Sequence, residues 1–269
     1  MAENRIILIL SASSDIGHAL MRRYLDQGAT VIGTYRRHGA LDEFAGHKRA
    51  HLIELDLERA GDITRMVERV AALGLRWDLF IASNATMEPI GPFLSLDGEA
   101  WQRSICANAM LPCRLLQAIY PLRRPGRTNA VAFFAGGGTN NAFTNYSAYC
   151  LSKIVLIKMC ELLDDEASDL KTFILGPGYV NTKIHDETFK AGDLAGTNLA
   201  RTEKFLETDG TSMDDIHACI EWCVAQDRAV IGGRNLSVVH DPWRNGGLAL
   251  ARQLGADPDK FKLRRSGNI

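Results

Sequence analysis

Short runs of consecutive apolar residues recur along the first two thirds of the chain, separated by longer segments with apolar residues at helical spacing. The runs lack the alternation of apolar and polar residues typical of a half-exposed strand, which indicates strands buried on both faces. They predict strands at Arg5–Leu10, Thr30–Tyr35, His51–Leu55, Leu79–Ala82, Ala130–Phe134 and Thr172–Leu175, and a last strand near Leu236–Val239. Strands that alternate with helices favour a parallel sheet.

The segments between these runs predict amphipathic helices. In the first segment Ile16, Leu20 and Tyr24 recur at helical spacing before Gly28, a residue typical of a helix C-terminus. The same pattern predicts helices at Ile16–Gln27, Ala60–Leu73, Gly98–Ile119, Tyr146–Asp165 and Met213–Gln226. The segment 183–211 is polar and weakly periodic, and we interpret it either as a lid over a substrate or as a plain surface excursion.

This order of elements predicts an α/β fold with one doubly wound parallel sheet of Rossmann type and helices on both faces. The chain has 269 residues and shows no internal repeat and no low-complexity linker. Open α/β sheets reach this length as one unit, so we expect a single domain spanning residues 1–269.

The charge balance of the chain bears on which kinds of molecule it binds. The formal net charge is −1, with basic and acidic residues interspersed, so nothing favours attraction to nucleic acid or to anionic lipid. A small-molecule substrate fits better. The apolar run Ile6–Leu10 is too short for a membrane span and lacks the cleavage region of a signal peptide, so we expect a cytoplasmic protein.

The cysteines predict no metal site. All six lie in apolar or helical stretches, without a C-x-x-C pair and without a histidine at ligand spacing. We interpret them as reduced thiols of the core.

A polar turn joins the first predicted strand directly to the first predicted helix, a geometry that points helix N–H groups at a diphosphate. The turn consists of Ser11, Ala12, Ser13, Ser14, Asp15, Ile16 and Gly17. It resembles the T-G-x-x-x-G-x-G turn of the short-chain dehydrogenase/reductase family, with Leu10, Ser11 and Asp15 in place of Thr and the first two glycines. The resemblance implies a dinucleotide site here, while Asp15 could instead cap the helix.

Further motifs of the same family follow in order. Arg36 and Arg37 close the second strand where NAD-dependent members carry a carboxylate, so NADP is the preferred cofactor and NAD the less favoured one. Asp56, followed by Leu57, matches the family aspartate that contacts adenine. The residues Ser83, Asn84 and Ala85 end the stretch DLFIASNA, which is similar to the family's D-x-L-V-N-N-A-G.

Tyr149 and Lys153 lie four residues apart in a predicted helix and therefore share one helical face. The pair resembles the family's Tyr-x-x-x-Lys, which implies that Tyr149 is the acid/base for hydride transfer and that Lys153 lowers the pKa of its phenol. Asn108 matches the family asparagine of the proton relay. The stretch that contains Pro177, Gly178, Val180 and Thr182 resembles the family's P-G-x-V-x-T, which implies contacts with nicotinamide.

The family's catalytic serine, which lies twelve to fourteen residues before the tyrosine, has no counterpart here. Ala135, Gly136 and Gly137 occupy that window, and none carries a hydrogen-bonding side chain. Thr139 could reach in, the backbone N–H groups of 136–138 could serve instead, or the substrate could need no donor there. His185 is a candidate for substrate contact.

The resemblance spans residues 5 to 241 and implies an NADP-dependent oxidoreductase acting on an alcohol/carbonyl pair, with a sugar or sugar nucleotide as the suggested substrate. It also implies a homodimer or homotetramer. The alternative is a non-catalytic relative that binds a dinucleotide or a partner protein and has lost its serine. The basic C-terminal segment Lys260–Arg265 is interpreted as a solvated tail.

Overall fold

In the computed structural model of the protein, which describes residues 4–265, seven parallel strands form one sheet in the order β3-β2-β1-β4-β5-β6-β7. The strands are β1 Ile6–Leu10, β2 Thr30–Tyr35, β3 Ala50–Glu54, β4 Leu79–Ala82, β5 Asn129–Phe134, β6 Leu170–Gly176 and β7 Arg234–Ser237. The predicted parallel sheet is confirmed, and all seven predicted strands match within two residues at each end.

Two apolar cores lie on the two faces of the sheet. In β1, Ile7 and Ile9 belong to one core, and Leu8 and Leu10 to the other, because successive side chains of a strand point to opposite faces. All four side chains are almost fully buried, which explains why the strand sequence shows no polar alternation. The predicted doubly wound architecture is therefore confirmed.

Ten α-helices are present among residues 4–265. They are α1 Asp15–Asp26, α2 Asp62–Ala72, α3 Gly98–Ile105, α4 Leu111–Ile119, α5 Ser147–Glu166, α6 Asp186–Ala191, α7 Thr197–Leu206, α8 Met213–Ala225, α9 Arg228–Ile231 and α10 Gly247–Ala256. Helices α1, α8 and α10 contribute to one core, and α2, α4 and α5 to the other. The long helix predicted at Gly98–Ile119 is interrupted by a π-helical turn at Cys106–Met110.

The segment 183–211 is helical, although its sequence is only weakly periodic. It contains α6, α7 and two short 3₁₀ turns at Lys183–His185 and Gly192–Ala195. Contacts with the rest of the chain hold these short helices, which are too short to be stable alone. For example, the Asn198 side chain donates a hydrogen bond to the carbonyl of Thr144. We call residues 183–211 the lid segment.

Two features of the C-terminal part differ from the sequence analysis: α10 was not predicted, and residues 260–265, interpreted as a solvated tail, are bound to the rest of the chain. The backbone N–H of Leu263 and the guanidinium of Arg264 bind the carboxylate of Glu161 on α5. This charged contact holds Leu263 and Arg264 against α5, and residues 261–263 help to line the cavity described below.

Two further observations concern the thiols and the helices. The six cysteines are all free, with Cys160, Cys219 and Cys223 buried and the other three half-buried, so only half of them are core residues. Within residues 4–265 no helix combines the length and the apolar character needed to cross a bilayer.

Candidate active site

A cavity with a volume of about 950 Å³ opens at the carboxyl ends of the central strands. Ligands of open α/β sheets bind at this edge. Its floor is formed by the ends of β5, β6 and β7, one wall by α5, and the opposite wall by the lid segment. The cavity brings together residues that are far apart in the sequence, including Ser14, Tyr149 and Arg201.

Tyr149 and Lys153 both line this cavity from α5, and both are nearly buried, with exposed fractions of 8% and 2%. The Lys153 ammonium lies 5.3 Å from the centre of the Tyr149 ring. Burial raises the pKa of Tyr149 well above its ordinary value, and the carboxylate of Glu187 acts in the same direction. Burial thus outweighs any lowering by Lys153, and the pKa of the phenol stays above its ordinary value.

The Lys153 ammonium is a free hydrogen-bond donor. Burial lowers the pKa of Lys153 to about 8, because a charged group is disfavoured away from water. Among the described residues no acceptor binds this ammonium, although the side chain is almost wholly enclosed. Because Lys153 lines the cavity, a ligand that supplies acceptor oxygens there can pair with this ammonium.

Asn108 does not line the cavity. It lies in the π-helical turn, 1% exposed, and its side-chain amide is committed to the backbone of Thr86, accepting from the N–H at 2.9 Å and donating to the carbonyl at 2.8 Å. The same turn frees the carbonyl of Ala107 to accept from the side chain of Asn84 at 2.8 Å. Asn108 therefore connects α3–α4 to the loop after β4.

The glycine loop after β5 supplies backbone donors and no side-chain donor. The hydroxyl of Thr139 donates to the carbonyl of Gly136 at 3.3 Å and is thereby committed to its own loop. The N–H groups of Gly136, Gly137 and Gly138 donate to no described residue, and all three residues line the cavity. Of the replacements for serine considered above, the geometry favours these N–H groups.

In the turn before α1, Ser11 has a backbone conformation typical of glycine, the residue that the family carries at this position. Ser11 has φ +61°, a left-handed conformation that costs about 1 kcal/mol for a non-glycine residue. Its N–H donates to the hydroxyl of Thr34 at 3.1 Å, and its carbonyl accepts from the N–H of Ser14 at 2.9 Å, so the turn is well held. At Gly17 a Cβ atom would lie 2.6 Å from the Ser83 hydroxyl oxygen, so only glycine fits.

Ser14, and not Asp15, caps helix α1. The Ser14 hydroxyl accepts from the N–H of Gly17 at 3.1 Å. The Asp15 carboxylate instead accepts from the N–H of Lys183, the first residue of the lid segment, at 2.7 Å. The start of the lid segment is thus tied to the first turn of α1, where the resemblance places the diphosphate.

The remaining cofactor candidates lie at the edge of the sheet beyond the cavity. Arg36 and Arg37 follow β2, are exposed, and form no ion pair with a described residue. The carboxylate of Asp56, after β3, accepts from the N–H of Glu58 at 3.1 Å, and Leu57 packs against the neighbouring apolar core. Free guanidinium groups without a neighbouring carboxylate suit a phosphate.

Pro177, Gly178, Val180 and Thr182 line the cavity as a continuous stretch after β6. Gly178 has φ +78°, and a Cβ atom there would lie 2.5 Å from the Val239 side chain, which explains the glycine. The same cavity is lined by Ser14, Asp15, Ile16, Ser83, Asn84, Ala85, Ala135, Gly136, Gly137, Thr139 and His185. Ser13 lies in the α1 turn outside this lining.

Sequence reasoning found His185 but missed its aromatic neighbours and an acidic residue of the lid wall. The Nε2–H of His185 donates to the Val180 carbonyl at 3.0 Å, and the ring stacks on Tyr179, which in turn stacks on Phe205. Burial lowers the pKa of His185. Glu187 on α6 accepts hydrogen bonds from the hydroxyl of Thr86 and the N–H of Met87. No sequence motif marks Glu187, because its partners lie about a hundred residues away.

Comparison with known proteins matches residues 5–193 to the family model for the short chain dehydrogenases. An uncharacterized oxidoreductase of Schizosaccharomyces pombe is 27% identical over 201 residues, covering 68% of this chain and 77% of the relative. The uncharacterized oxidoreductase YciK of Escherichia coli is 25% identical over 202 residues, covering 72% of this chain and 80% of the relative.

A similar fold occurs among solved structures. A short chain dehydrogenase of Shigella flexneri, crystallised with NADP, superimposes with a TM-score of 0.74 at 22% identity. The match covers 88% of this chain and 97% of the other. At this identity the likeness shows a shared fold.

Proposed function

Because the chain belongs to the short-chain dehydrogenase family, and is thus an oxidoreductase, we propose that it transfers hydride between NADP and an alcohol/carbonyl substrate. One observation carries this proposal. Tyr149 and Lys153, adjacent on one face of α5, line the same cavity, one as a neutral phenol and the other as an unpartnered buried ammonium.

Each residue of the pair has a separate task in this proposal. When bound, NADP(H) supplies or accepts the hydride. The Tyr149 hydroxyl passes a proton to or from the substrate oxygen, and the Lys153 ammonium stabilises negative charge that develops on the phenol. The unpartnered Lys153 donors also fit the hydroxyl groups of a ribose, and the free N–H groups of 136–138 fit the substrate oxygen. Asn108 acts through the Thr86 loop and not by touching substrate.

The protonation state of Tyr149 favours one direction of the reaction. Since burial raises the pKa of this phenol, it remains protonated through neutral and mildly alkaline pH. A protonated phenol can donate a proton to a carbonyl oxygen but cannot accept one from an alcohol. We therefore propose that Tyr149 acts as the proton donor when NADPH reduces a carbonyl compound.

The cofactor preference is tested by titrating the protein with NADPH and with NADH and following nicotinamide fluorescence. We expect NADPH to bind more tightly, because Arg36 and Arg37 are free to pair with the 2′-phosphate. Arg36→Asp should weaken NADPH binding by about 10- to 100-fold, the loss of one or two hydrogen bonds to a charged group. Binding of NADH should stay within about threefold.

The matched control is Arg103→Asp, which makes the same charge change on the exposed side of α3, away from the cavity. It should leave both affinities unchanged. Equal loss of NADPH binding in the control would mean that a general electrostatic effect operates and not a phosphate site. If neither dinucleotide binds at millimolar concentration, the non-catalytic alternative replaces the proposed function.

Asp15 is expected to weaken dinucleotide binding in the natural protein. Its carboxylate lies in the first turn of α1, where a diphosphate would otherwise meet only helix N–H groups. Asp15→Asn removes the charge but keeps an oxygen that can accept from the N–H of Lys183. We expect NADPH to bind about fivefold more tightly to this variant, and the gain should shrink at high salt.

The same titration of Asp26→Asn, at the opposite end of α1, is the control, and it should show no gain. Unchanged or weaker NADPH binding in Asp15→Asn would place the diphosphate elsewhere. If the diphosphate lies at the turn before α1, the change in NADPH affinity of Asp15→Asn should depend on the salt concentration.

For the substrate we propose a polyhydroxylated carbonyl compound, such as a sugar or sugar nucleotide. Beside a larger apolar surface, the cavity wall carries amide and hydroxyl side chains, including Asn140, Asn141 and Thr202, which suit hydroxyl groups. NADPH oxidation measured with ketosugars and with simple aliphatic ketones tests this. Faster turnover of the aliphatic ketones would contradict the proposal.

A further inference from the structure

Tyr149 occupies the space that a side chain at position 136 would fill. A Cβ atom built on Gly136 would lie 2.6 Å from Cζ of Tyr149 and 2.7 Å from its Cε1, and closer still to the hydroxyl oxygen. Real Cβ atoms do not approach other heavy atoms this closely. Any residue other than glycine at position 136 therefore displaces the phenol.

Packing resists a movement of the ring. Tyr149 belongs to a small apolar cluster with Met87, Ile90, Tyr146 and Ala195, all of them buried. The phenol thus packs against this cluster and against the backbone of Gly136. Displacement would open a gap in one contact or force the ring out of a favoured rotamer, at about 1 kcal/mol or more.

The three glycines of the loop differ in what requires them. Gly138 has φ +86°, and its Cβ atom would also collide with the Cys150 side chain. At Gly137 the nearest atoms to a Cβ are those of Phe143, at an ordinary distance of 3.5 Å. Gly136 needs no unusual φ, so only the contact with Tyr149 requires glycine there.

We propose that Gly136 is a positioning residue that fixes the Tyr149 hydroxyl for proton transfer, because the absent side chain leaves the space in which the phenol lies. Gly136 lies thirteen residues before Tyr149, within the window of the family serine. On this proposal, position 136 carries glycine instead of the family serine because the Tyr149 ring needs the space. The inference deepens the proposed function and rests on it only in giving the hydroxyl a role in proton transfer.

A counterintuitive result follows for the variant that restores the family residue. Gly136→Ser adds the hydroxyl that other members use, yet its Cβ atom would displace the phenol as Gly136→Ala does. We expect both variants to lower kcat for carbonyl reduction by about 100-fold, the cost of misplacing a reacting group by about 1 Å. The affinity for NADPH should stay within about threefold, because no proposed cofactor contact changes.

The contact itself is tested by a double-mutant cycle on thermal unfolding of the protein without cofactor. Gly136→Ala should lower the Tm by about 4 °C, whereas Gly137→Ala should change it by about 1 °C or less. In a Tyr149→Ala background, Gly136→Ala should have almost no further effect, because the colliding ring is gone. If Gly136→Ala alone fails to fold, recovery of folding in the Tyr149→Ala background would likewise show that the collision with the Tyr149 ring causes the loss of stability.

The two kinds of failure are distinguishable. Equal effects of Gly136→Ala with and without the Tyr149 ring would overturn the positioning role, whatever the turnover. A wild-type protein that neither binds NADPH nor oxidises it would overturn the proposed function and leave the cycle valid. Gly98→Ala, on α3 with no atom within 4 Å of the added Cβ, is the activity control and should keep the wild-type kcat. A normal kcat in Gly136→Ser would contradict the inference.

Discussion

Replacing Tyr149 with phenylalanine is expected to lower kcat for carbonyl reduction by about 1000-fold, while NADPH binding stays within about threefold. The substitution removes only the hydroxyl, and this hydroxyl forms no hydrogen bond with a described residue. The ring still packs against Met87, Ile90 and Tyr146, so the fold and the cavity should be preserved. The loss therefore measures proton donation and little else.

The measurement is the steady-state oxidation of NADPH with the best carbonyl substrate of the sugar and ketone series, together with the fluorescence titration. Tyr120→Phe is the matched control, because the Tyr120 hydroxyl binds Asp169 at 2.9 Å and the residue does not line the cavity. That control should lose no turnover. A Tyr149→Phe protein that retains more than a tenth of the wild-type kcat would assign proton donation to another group.

Burial in the α/β fold explains why the strands could be predicted. Every residue of β4 and β5 is buried, and such a strand reads in the sequence as an uninterrupted apolar run. The pairing order of the strands was not predicted, since no local pattern encodes which parallel strands are neighbours. Strand β7 is only partly buried, and its predicted position was shifted accordingly.

The features that sequence reasoning missed depend on long-range contacts. The π-helical turn at Cys106–Met110 leaves helical periodicity intact, and the Asn84 amide that binds its carbonyl lies far away in the sequence. Helices of the lid segment are held by contacts such as that between Asp15 and Lys183. Neither feature has a local pattern.

In the candidate site, too, the features with a local sequence pattern were predicted and those that depend on long-range contacts were not. The spacing of Tyr149 and Lys153 placed both residues on one helical face, and the structure brings both to the cavity. Their protonation could not be predicted from the pair alone, because burial outweighs the effect of the neighbouring ammonium on the phenol. The fit of Tyr149 against Gly136 likewise depends on the relative placement of α5 and the loop after β5.

The second large effect is expected for Lys153→Met, which keeps much of the length of the side chain and removes the ammonium. We expect kcat/KM for carbonyl reduction to fall by about 100-fold, because a donor to developing negative charge and to the ribose is lost. NADPH binding should weaken by about tenfold as well, unlike in Tyr149→Phe. Lys158→Met, on an exposed part of α5 and paired with Glu161, is the control and should keep the wild-type kcat/KM.

The pH dependence separates this role from a structural one. Since the pKa of Lys153 is lowered to about 8, the ammonium is charged below that pH and neutral above it. The wild-type kcat/KM for NADPH, which reports the free enzyme, should therefore fall as the pH rises through about 8, whereas Lys153→Met should show no such fall. Tyr149 adds no fall in this range, because its pKa is raised far above it. A pH profile shared by both proteins would assign the titration to another group and Lys153 to packing.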